Sequence, residues 1–210
     1  VLDDIVYCFS PGVSFNASFE QELSSKYDIL CYMADATVKG PPVNHRNFYF
    51  TPRFIGPMAR NDYITLGQWV RSSIGSDDGK KILQMDIEGS EYSVLNESSI
   101  DLIKSFDVLI IEFHALYYCR SSRFVKMIDT IFDKILSQFS ICHLHPNNCC
   151  GSVNVDGIQV PRVLEVTFIN RMVENRHKST DSVNLPHTLD QRNVPSRTDL
   201  FLSREWWQTR

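Results

Sequence analysis

The feature that most constrains the fold is a short strand that runs into a helix through a turn carrying two carboxylates. Residues 82–85 form a compact apolar run, and it ends at Asp86 and Glu88. Gly89 interrupts the pattern, after which residues 91–95 begin a helical one. In open parallel α/β sheets, ligands bind where strands end and helices begin, and glycine suits a turn that needs positive φ. The stretch therefore predicts an α/β sheet with a ligand site at this turn.

The same two carboxylates also have a purely structural interpretation. Negative charge near a helix N-terminus is favourable, so Asp86 and Glu88 would suit a capping role for the helix that follows. An isolated D-x-E-G pattern does not decide between capping and ligand binding.

The longer string around this turn resembles the signature of a known family. Residues 83–95 read L-Q-M-D-I-E-G-S-E-Y-S-V-L, similar to the K-I-D-I-E-G-x-E-x-x-V-L signature of FkbM-like methyltransferases. The resemblance continues in V-L-I-I-E-F-H (residues 108–114) and H-L-H-P-N-N (residues 143–148), and it can be traced from about residue 6 to residue 193. It implies an enzyme dependent on S-adenosylmethionine (SAM), with the class I methyltransferase fold.

The hydrophobic pattern along the chain predicts one α/β domain and a tail. Strands are predicted at residues 4–9, 29–33, 47–54, 82–85, 106–113, 140–145 and 163–170, helices at 16–26, 66–74, 91–105 and 124–139, and a polar loop at 147–161. This order indicates a single Rossmann-like sheet of seven strands, mostly parallel with an antiparallel last strand, and with helices on both faces. We therefore assign residues 1–170 to a class I SAM-dependent methyltransferase domain, and residues 171–210 to an extended C-terminal tail packed on it.

The predicted tail is polar but contains two notable features. Residues 185–193 (L-P-H-T-L-D-Q-R-N) resemble a short tail motif of some FkbM-like proteins. Trp206 and Trp207 would anchor the tail on apolar surface or mark a contact with a partner.

The resemblance also assigns cofactor-binding residues. It places Gly12, in the first turn, against the cofactor, and Asp35, after the second strand, on the ribose hydroxyls, because a carboxylate accepts hydrogen bonds from both. Asp86 and Glu88 complete the predicted cofactor site. The first turn departs from fuller patterns, since it has one glycine and no acid. An ordinary strand–turn–helix without a ligand therefore stays open as an alternative.

Candidate catalytic residues follow the fifth and sixth predicted strands. Glu112 and His114 share one face of the fifth, and His143 and His145 share one face of the sixth. His114 is our first choice for a general base because imidazole titrates near neutral pH, His145 is the second, and Glu112 is the third catalytic candidate. The alternative is that each histidine is a structural hydrogen-bonding residue at a strand end.

The residues at the strand ends also suit a divalent metal. Asp86, Glu88, Glu112 and His114 offer acceptable oxygen and nitrogen ligands. Their spacing in the sequence is not specific enough to indicate a metal site. A divalent metal is therefore an alternative that we do not favour, and we assign no metal ligands. The six cysteines contain no C-x-x-C pair, which argues against structural zinc.

Composition limits the expected partners and location. The net charge of −4 gives no basic footprint for nucleic acid or for an anionic membrane, and no apolar run is long enough to span a bilayer. We therefore expect neither nucleic acid nor membrane as a partner, and the oligomeric state is unknown. The cysteine pattern fits a reducing cytoplasm. N-terminal targeting is undecidable, because the sequence begins almost directly in a strand.

Together these observations lead us to expect a SAM-dependent methyltransferase acting on a hydroxyl of a sugar or other polar small molecule. O-methylation and the sugar rest on the family resemblance alone. One alternative is a catalytically degenerate methyltransferase fold that only binds its ligand, which the glycine-poor first turn favours. Another is a different nucleotide-binding α/β enzyme, such as an NAD-dependent one, against which the missing G-x-G-x-x-G argues.

Overall fold

The computed structural model describes residues 2–174 and 185–207. In chain order its strands are β1 (Tyr7–Pro11), β2 (Leu30–Ala34), β3 (Phe48–Thr51), β4 (Phe54–Ile55), β5 (Tyr63–Ile64), β6 (Lys81–Met85), β7 (Val108–Phe113), β8 (Phe139–Pro146), β9 (Ser152–Val155), β10 (Ile158–Pro161) and β11 (Leu164–Asn170). Its α-helices are α1 (Ser18–Tyr27), α2 (Leu66–Ile74), α3 (Glu91–Glu97), α4 (Ile100–Lys104), α5 (Ser122–Leu136) and α6 (Arg171–Glu174), and short 3-10 helices cover Leu2–Asp4, Leu116–Arg120 and Arg204–Trp206.

Seven of these strands form one sheet in the order β3-β2-β1-β6-β7-β11-β8. Every neighbouring pair from β3 to β7 is parallel, whereas β11 runs antiparallel to both β7 and β8. The prediction of a mostly parallel seven-stranded sheet with an antiparallel last strand is therefore confirmed. In this order β6 lies between β1 and β7, so its carboxyl end lies beside theirs.

The central strands are buried on both faces, as strands of a helix-covered parallel sheet must be. On one face Phe9 of β1 and Leu83 of β6 pack with Trp69 of α2. On the other, Cys8 and Ile82, the neighbours of Phe9 and Leu83 in sequence, pack with residues of α1 and β2. The alternation along each strand thus fills two separate hydrophobic clusters.

Two predicted elements are divided in the structure. The strand predicted at 47–54 ends at Thr51, because Pro52 has no backbone N–H to continue the ladder, and Phe54–Ile55 pairs instead with Tyr63–Ile64. The helix predicted at 91–105 is two helices, because Ser98 is extended and Ser99 caps α4 by accepting from the Leu102 backbone N–H.

The prediction that residues 147–161 form a polar loop is wrong for residues 152–161, which form the hairpin β9–β10. Its two-residue turn is Asp156-Gly157, and both residues have positive φ, 50° and 88°. Such a turn matches the twist of the flanking strands, and Asp-Gly is one of its preferred sequences. The signal was present in the sequence, but the polar residues around it hid the short strands.

The described part of the predicted tail lies against the domain. Asn148, just after β8, donates from its side chain to the backbone carbonyl of Val194 at 3.0 Å. The Trp206 indole N–H donates to the carbonyl of Gln159 in β10 at 3.1 Å, and both Trp206 and Trp207 pack against the core. The division of the chain at residue 170 stays a prediction, and residues 175–184 and 208–210 lie outside the described residues.

Within residues 2–174 and 185–207, no helix combines the length and the apolar character that crossing a bilayer would require.

Candidate functional site

A cavity of about 440 Å³ opens where β1, β2 and β6 end. It is lined by all four residues that the sequence predicts to bind the cofactor, Gly12, Asp35, Asp86 and Glu88. The volume falls in the range of about 300–1,000 Å³ that small-molecule and cofactor sites occupy. A neighbouring cavity of about 370 Å³ shares Gly12 and Asp86 and extends towards α1.

Gly12 makes its close approach to the protein itself. Its φ is +89°, and a Cβ built on it would lie 1.5 Å from the backbone carbonyl oxygen of Asp86. The sequence predicts a close approach to the cofactor, but the structure uses this glycine to let the first turn pack directly on the end of β6. No other residue fits here, because any side chain would overlap the Asp86 backbone.

Asp35 is buried, and both of its carboxylate oxygens already accept hydrogen bonds from the protein. One oxygen accepts from the Ser14 backbone N–H at 2.8 Å. The other accepts from the backbone N–H and the hydroxyl of Thr37, at 2.7 and 2.6 Å. Asp35 therefore ties the turn after β1 to the turn after β2, and only the oxygen facing Ser14 keeps room for a further donor.

The turn after β6 places Asp86 and Glu88 differently. Atom Oδ1 of Asp86 is buried and has no hydrogen-bond partner among the described residues. Glu88 has a positive φ of 55° and Gly89 one of 100°, which bends the chain so that the Glu88 side chain stands 86% exposed at the rim. A non-glycine residue in this conformation costs on the order of 1 kcal/mol, and such strain often accompanies functional sites.

Glu91 organises this turn, although the sequence pattern predicts no role for it in the site. Its side chain is fully buried at the start of α3. Atom Oε1 accepts from the backbone N–H groups of Ile87 and Gly89, at 3.1 and 3.2 Å, and lies 3.0 Å from Nδ1 of His114. The sequence signal for this role was the second acid of the E-G-x-E pattern in the family signature. Taken alone, an acid at that position indicates only a helix cap.

The contact with Glu91 determines which ring nitrogen of His114 carries a hydrogen. Because the Glu91 carboxylate accepts, Nδ1 of His114 carries a hydrogen, and Nε2 is the nitrogen that gains or loses a proton. Nε2 lies 3.5 Å from Glu88, 3.5 Å from Glu112 and 3.8 Å from Asp86, measured to their carboxylate oxygens. The backbone of His114 is held too, since the Tyr92 hydroxyl donates to its carbonyl at 2.6 Å.

These neighbours change the acidity of the site. Burial by itself would lower the pKa of His114, but the hydrogen bond and charge of Glu91 and the charges of Glu112 and Asp86 together raise it to about 9. Burial and the charge of Glu112 raise the pKa of Asp86 to about 8. His114 is thus an imidazolium at neutral pH, which removes the reason for which the sequence favours it as a base, an imidazole titrating near neutrality.

His145 lies away from this group of carboxylates. It is buried on β8, paired with Glu165 of β11, and its Nε2 lies 3.3 Å from the side-chain oxygen of Asn193 in the tail. Glu112 connects the two regions, because the Asn147 side chain donates to it at 2.6 Å. The structure therefore brings His114 and Glu112 to Asp86 and Glu88, and it surrounds His145 with residues of the tail.

Asp86, Glu88 and His114 also offer ligand atoms within 4.8 Å of one another. Two carboxylates and one imidazole form a donor set that a divalent cation accepts. Asp86 and His114 are also the residues whose pKa values are raised, so the donor set alone does not distinguish a metal site from a proton-accepting site.

Solved structures that this chain resembles include methyltransferases, at low similarity. A prophage-encoded E. coli chain described as a DNA modification methyltransferase gives a TM-score of 0.49 at 6% identity, over 80% of this chain and 48% of that one. Methanococcus jannaschii fibrillarin, a pre-rRNA processing protein, gives 0.42 at 9% identity, over 80% and 68%. The N-methyltransferase NodS from Bradyrhizobium japonicum gives 0.40 at 9% identity, over 79% and 86%. The chain thus spans about half the length of the first of these.

Curated proteins contain no match to this chain. Residues 64–139, in contrast, match the family model described as the methyltransferase FkbM domain. The matched segment runs from the start of α2 to the start of β8, and it contains Asp86, Glu88, Glu91, Glu112 and His114. This match to residues 64–139 confirms the resemblance to FkbM methyltransferases that the D-I-E-G turn carries.

Proposed function

We propose that this protein is a SAM-dependent methyltransferase that methylates a hydroxyl group of a sugar or another polar small molecule. The observation that carries the proposal is the cluster of Asp86, Glu112 and His114, of which Asp86 lines a cavity of cofactor size. In a protein of this family, such a cluster combines a site for a cationic cofactor with a group that takes up a proton.

The residues around the cavity fit SAM. Its sulfonium and ammonium groups are cations, and the buried, unpartnered Oδ1 of Asp86 is an acceptor that a cation would satisfy. Gly12, Asp35 and Glu88 would line the same bound molecule. When bound, SAM supplies a methyl group on a positively charged sulfur, which is open to attack by an oxygen nucleophile.

The acceptor hydroxyl must lose its proton as the new C–O bond forms. We assign this proton to Asp86, Glu112 and His114 acting together, because they lie in one cluster and the charge of Glu112 helps to raise the pKa of both Asp86 and His114. Glu91 holds Nδ1 of His114, so Nε2 and the two carboxylates are the atoms that can take the proton up, and Nε2 can do so only when the pH approaches the raised pKa of His114, about 9. A positioned base of this kind contributes roughly 10²–10⁴-fold to the rate.

Charge favours a neutral, hydroxyl-rich acceptor. Glu88, Glu112 and Asp86 form an acidic wall around His114, and the whole chain carries a net charge of −4. An acidic wall repels phosphate, so nucleic acid stays outside our proposal. Asn147, held against Glu112, offers an amide that would bind a hydroxyl on the acceptor side.

The proposal is tested by incubating the protein with methyl-labelled SAM and panels of acceptors. Monosaccharides and oligosaccharides with free hydroxyls form one panel, and short RNA and DNA form the second. We expect label in the first panel and a product heavier by one methyl group. Label in nucleic acid alone would contradict the proposed acceptor class. Binding of SAM without transfer to either panel would contradict the proposal that the protein is an enzyme.

One observation favours the second candidate, a methyltransferase fold that binds its ligand without turnover. Both oxygens of Asp35 are used by Ser14 and Thr37, so the residue expected to hold the ribose is partly committed to the fold. A binding protein would take up S-adenosylhomocysteine (SAH) but transfer no methyl group, and its affinity would not depend on Glu112.

A further inference from the structure

The tail motif at residues 185–193 brings a carboxylate onto the two histidines of β8. His143 and His145 are two residues apart on one strand, so their side chains lie on the same face. Asp190 in the tail lies with Oδ1 at 2.9 Å from Nε2 of His143, and with Oδ2 at 3.7 Å from Nδ1 of His145. All three ligand atoms lie within 4.8 Å of one another. The cluster joins strand and tail, which are 45 residues or more apart in sequence.

The hydrogen bonds of His145 leave a lone pair facing a carboxylate. Asn193 donates its side-chain N–H to Glu165 at 2.8 Å, so its oxygen is the atom that faces Nε2 of His145. Nε2 therefore carries the hydrogen, and Nδ1 of the neutral ring is an acceptor. Nδ1 is buried and has no hydrogen-bond partner among the described residues.

Two acceptors thus face each other in a buried place. The distance of 3.7 Å from Nδ1 of His145 to Asp190 is too long for a hydrogen bond, even if a proton lay between them. No lysine or arginine of the described residues forms an ion pair with Asp190, whose ion-pair contacts are the two histidines. The Asp190 side chain is 14% exposed, so its carboxylate is largely shielded from water and would gain from a bound cation. A cation bound by all three side chains would satisfy each of these atoms.

We propose that His143, His145 and Asp190 form a binding site for a first-row divalent transition metal, with zinc as the ion to test. Two imidazoles and one carboxylate are ligands that zinc accepts at about 2.0–2.2 Å. Ligand atoms at that radius from one ion lie about 3–3.5 Å apart, and each histidine nitrogen lies near this distance from one oxygen of Asp190, 2.9 Å to Oδ1 and 3.7 Å to Oδ2. Three protein ligands leave a fourth position for water.

The surroundings match what metal ligands need. A ligating histidine commonly gives its other N–H to a carbonyl or carboxylate, which fixes the ring. His145 does so towards Asn193, and Asn193 in turn is held by Glu165. Asp190 is oriented by the backbone N–H of His187, which donates to Oδ2 at 2.7 Å. The site differs from the Asp86–Glu88–His114 donor set in the candidate active site, and it would fasten the tail to the outermost strand of the sheet.

The experiment measures zinc binding to the full chain after treatment with a chelator. Cys149 and Cys150 are adjacent thiols with sulfurs 2.7 Å apart that would bind zinc on their own, so both are changed to serine in the parent protein. Calorimetry should find one zinc ion at this site per chain. Free zinc at about 100 times Kd should raise Tm by about 5–10 °C, by mass action on a domain of this size. Cobalt in place of zinc should give the visible absorption of a site with nitrogen ligands.

Variants locate the ion. His143→Ala and the isosteric Asp190→Asn should each weaken zinc binding by more than about 100-fold. Asn193→Ala, which removes the shared partner of His145 and Glu165 but no zinc ligand, should weaken it by about 10–100-fold. Glu88→Gln and His45→Ala are matched controls in the other donor set and at the opposite edge of the sheet, and neither should change the affinity. A cooperative thermal transition in each variant shows that it folds.

Two results would overturn the site. One is the absence of zinc binding to the folded parent, in which case Asp190 only hydrogen-bonds to His143. The other is zinc binding that survives Asp190→Asn and disappears in Glu88→Gln, which would move the ion to the candidate active site. Neither readout depends on methyl transfer, so the outcome is independent of the proposed function.

Discussion

The turn after β1 and the turn after β6 lie side by side, yet they use their polar residues in opposite ways. In the first, Gly12 packs on the backbone of Asp86, and the backbone N–H of Ser14 donates to Asp35 in the turn after β2, whose carboxylate also accepts two hydrogen bonds from Thr37. In the second, Asp86 keeps a buried oxygen without a partner, and Glu88 adopts a strained backbone conformation. The first turn is largely satisfied by the protein itself, and the second is not.

This difference separates residues that build the site from residues that act in it. Groups whose hydrogen bonds are complete contribute to stability, and buried groups without partners reduce it unless a ligand completes them. We therefore expect changes in the first turn to damage folding, and changes in the second to damage binding and turnover while sparing or even improving stability.

The largest expected effect compares the two glycines. Gly12→Ala would place its Cβ 1.5 Å from the Asp86 carbonyl oxygen, so the domain should lose roughly 3–5 kcal/mol of unfolding free energy or fail to fold. Gly89→Ala meets no atom within 4 Å and carries only the cost of its φ of +100°, about 1–2 kcal/mol. Urea titrations of both variants measure the difference. Equal losses would show that the two turns are not distinguished by close packing.

The next effect concerns turnover alone. His114→Gln should lower kcat by roughly 10²–10⁴-fold while the affinity for SAH is unchanged, because the ring faces the carboxylates behind the cavity. In the wild-type protein, the rate should rise with pH along a limb whose midpoint lies near pH 8–9, because the pKa values of Asp86 and His114 are raised. His45→Gln, far from the site, is the matched control. A limb near the value of a free imidazole, about 6.5, would contradict the coupled unit.

The two aspartates should respond with opposite signs. Asp35→Asn replaces one acceptor oxygen by an N–H group, so it should cost about 1–3 kcal/mol of stability. Asp86→Asn removes a buried carboxylate whose pKa is raised by burial, so it should leave stability unchanged or higher above pH 8 while weakening SAH binding. Thermal unfolding and calorimetry on the same two variants provide both readouts. The comparison fails if Asp86→Asn proves the less stable of the pair.

The smallest effect is the pH dependence of stability. The pKa of His114 is raised from 6.5 to about 9, so its contribution is complete below pH 6.5 and is lost as the pH rises through 9. The pKa of Asp86 is raised from 3.8 to about 8, so the folded state retains a proton that the unfolded state has released, and stability falls across that interval. Between pH 7 and 10 the wild-type protein should lose about 1–2 kcal/mol more than His114→Gln. If the curves of unfolding free energy against pH were parallel for the two proteins, His114 would not interact electrostatically with these carboxylates.

The sequence predicts the sheet well because its signals are local and repeated. The apolar run at β6, the D-I-E-G turn and the helix at residues 66–74 are each set by residues that are close in sequence, and all appear in the structure. The hairpin at residues 152–161 escapes prediction, since its strands are short and half-exposed. Local patterns also place Gly12, Asp35, Asp86 and Glu88 at strand ends, which is why they meet around one cavity.

What the sequence could not predict is the interaction of groups that are distant along the chain. The pKa of His114 depends on Glu91, Glu112 and Asp86, which come from two strands and a helix. The role of Asp190 depends on a tail that folds back over β8, 45 residues away from His145. Spacing in the sequence identifies candidate residue types, but it does not show which partner satisfies each hydrogen bond. The hydrogen-bond partner decides whether a residue acts as a base, a helix cap or a metal ligand.

The central claim is that Asp86 belongs to a SAM site in which the protein leaves a buried carboxyl oxygen without a partner for the cofactor to complete. Calorimetric titration of SAM and of SAH into the wild-type protein and Asp86→Asn at pH 8.5 tests it most directly, above the pKa of about 8 of that carboxyl. SAH retains the ammonium group but lacks the positive charge on sulfur, so both ligands should bind at one site per chain and SAM should lose more affinity than SAH in Asp86→Asn. A wild-type protein that binds neither ligand, or an Asp86→Asn variant that binds SAM as tightly as the wild type does, would contradict the account.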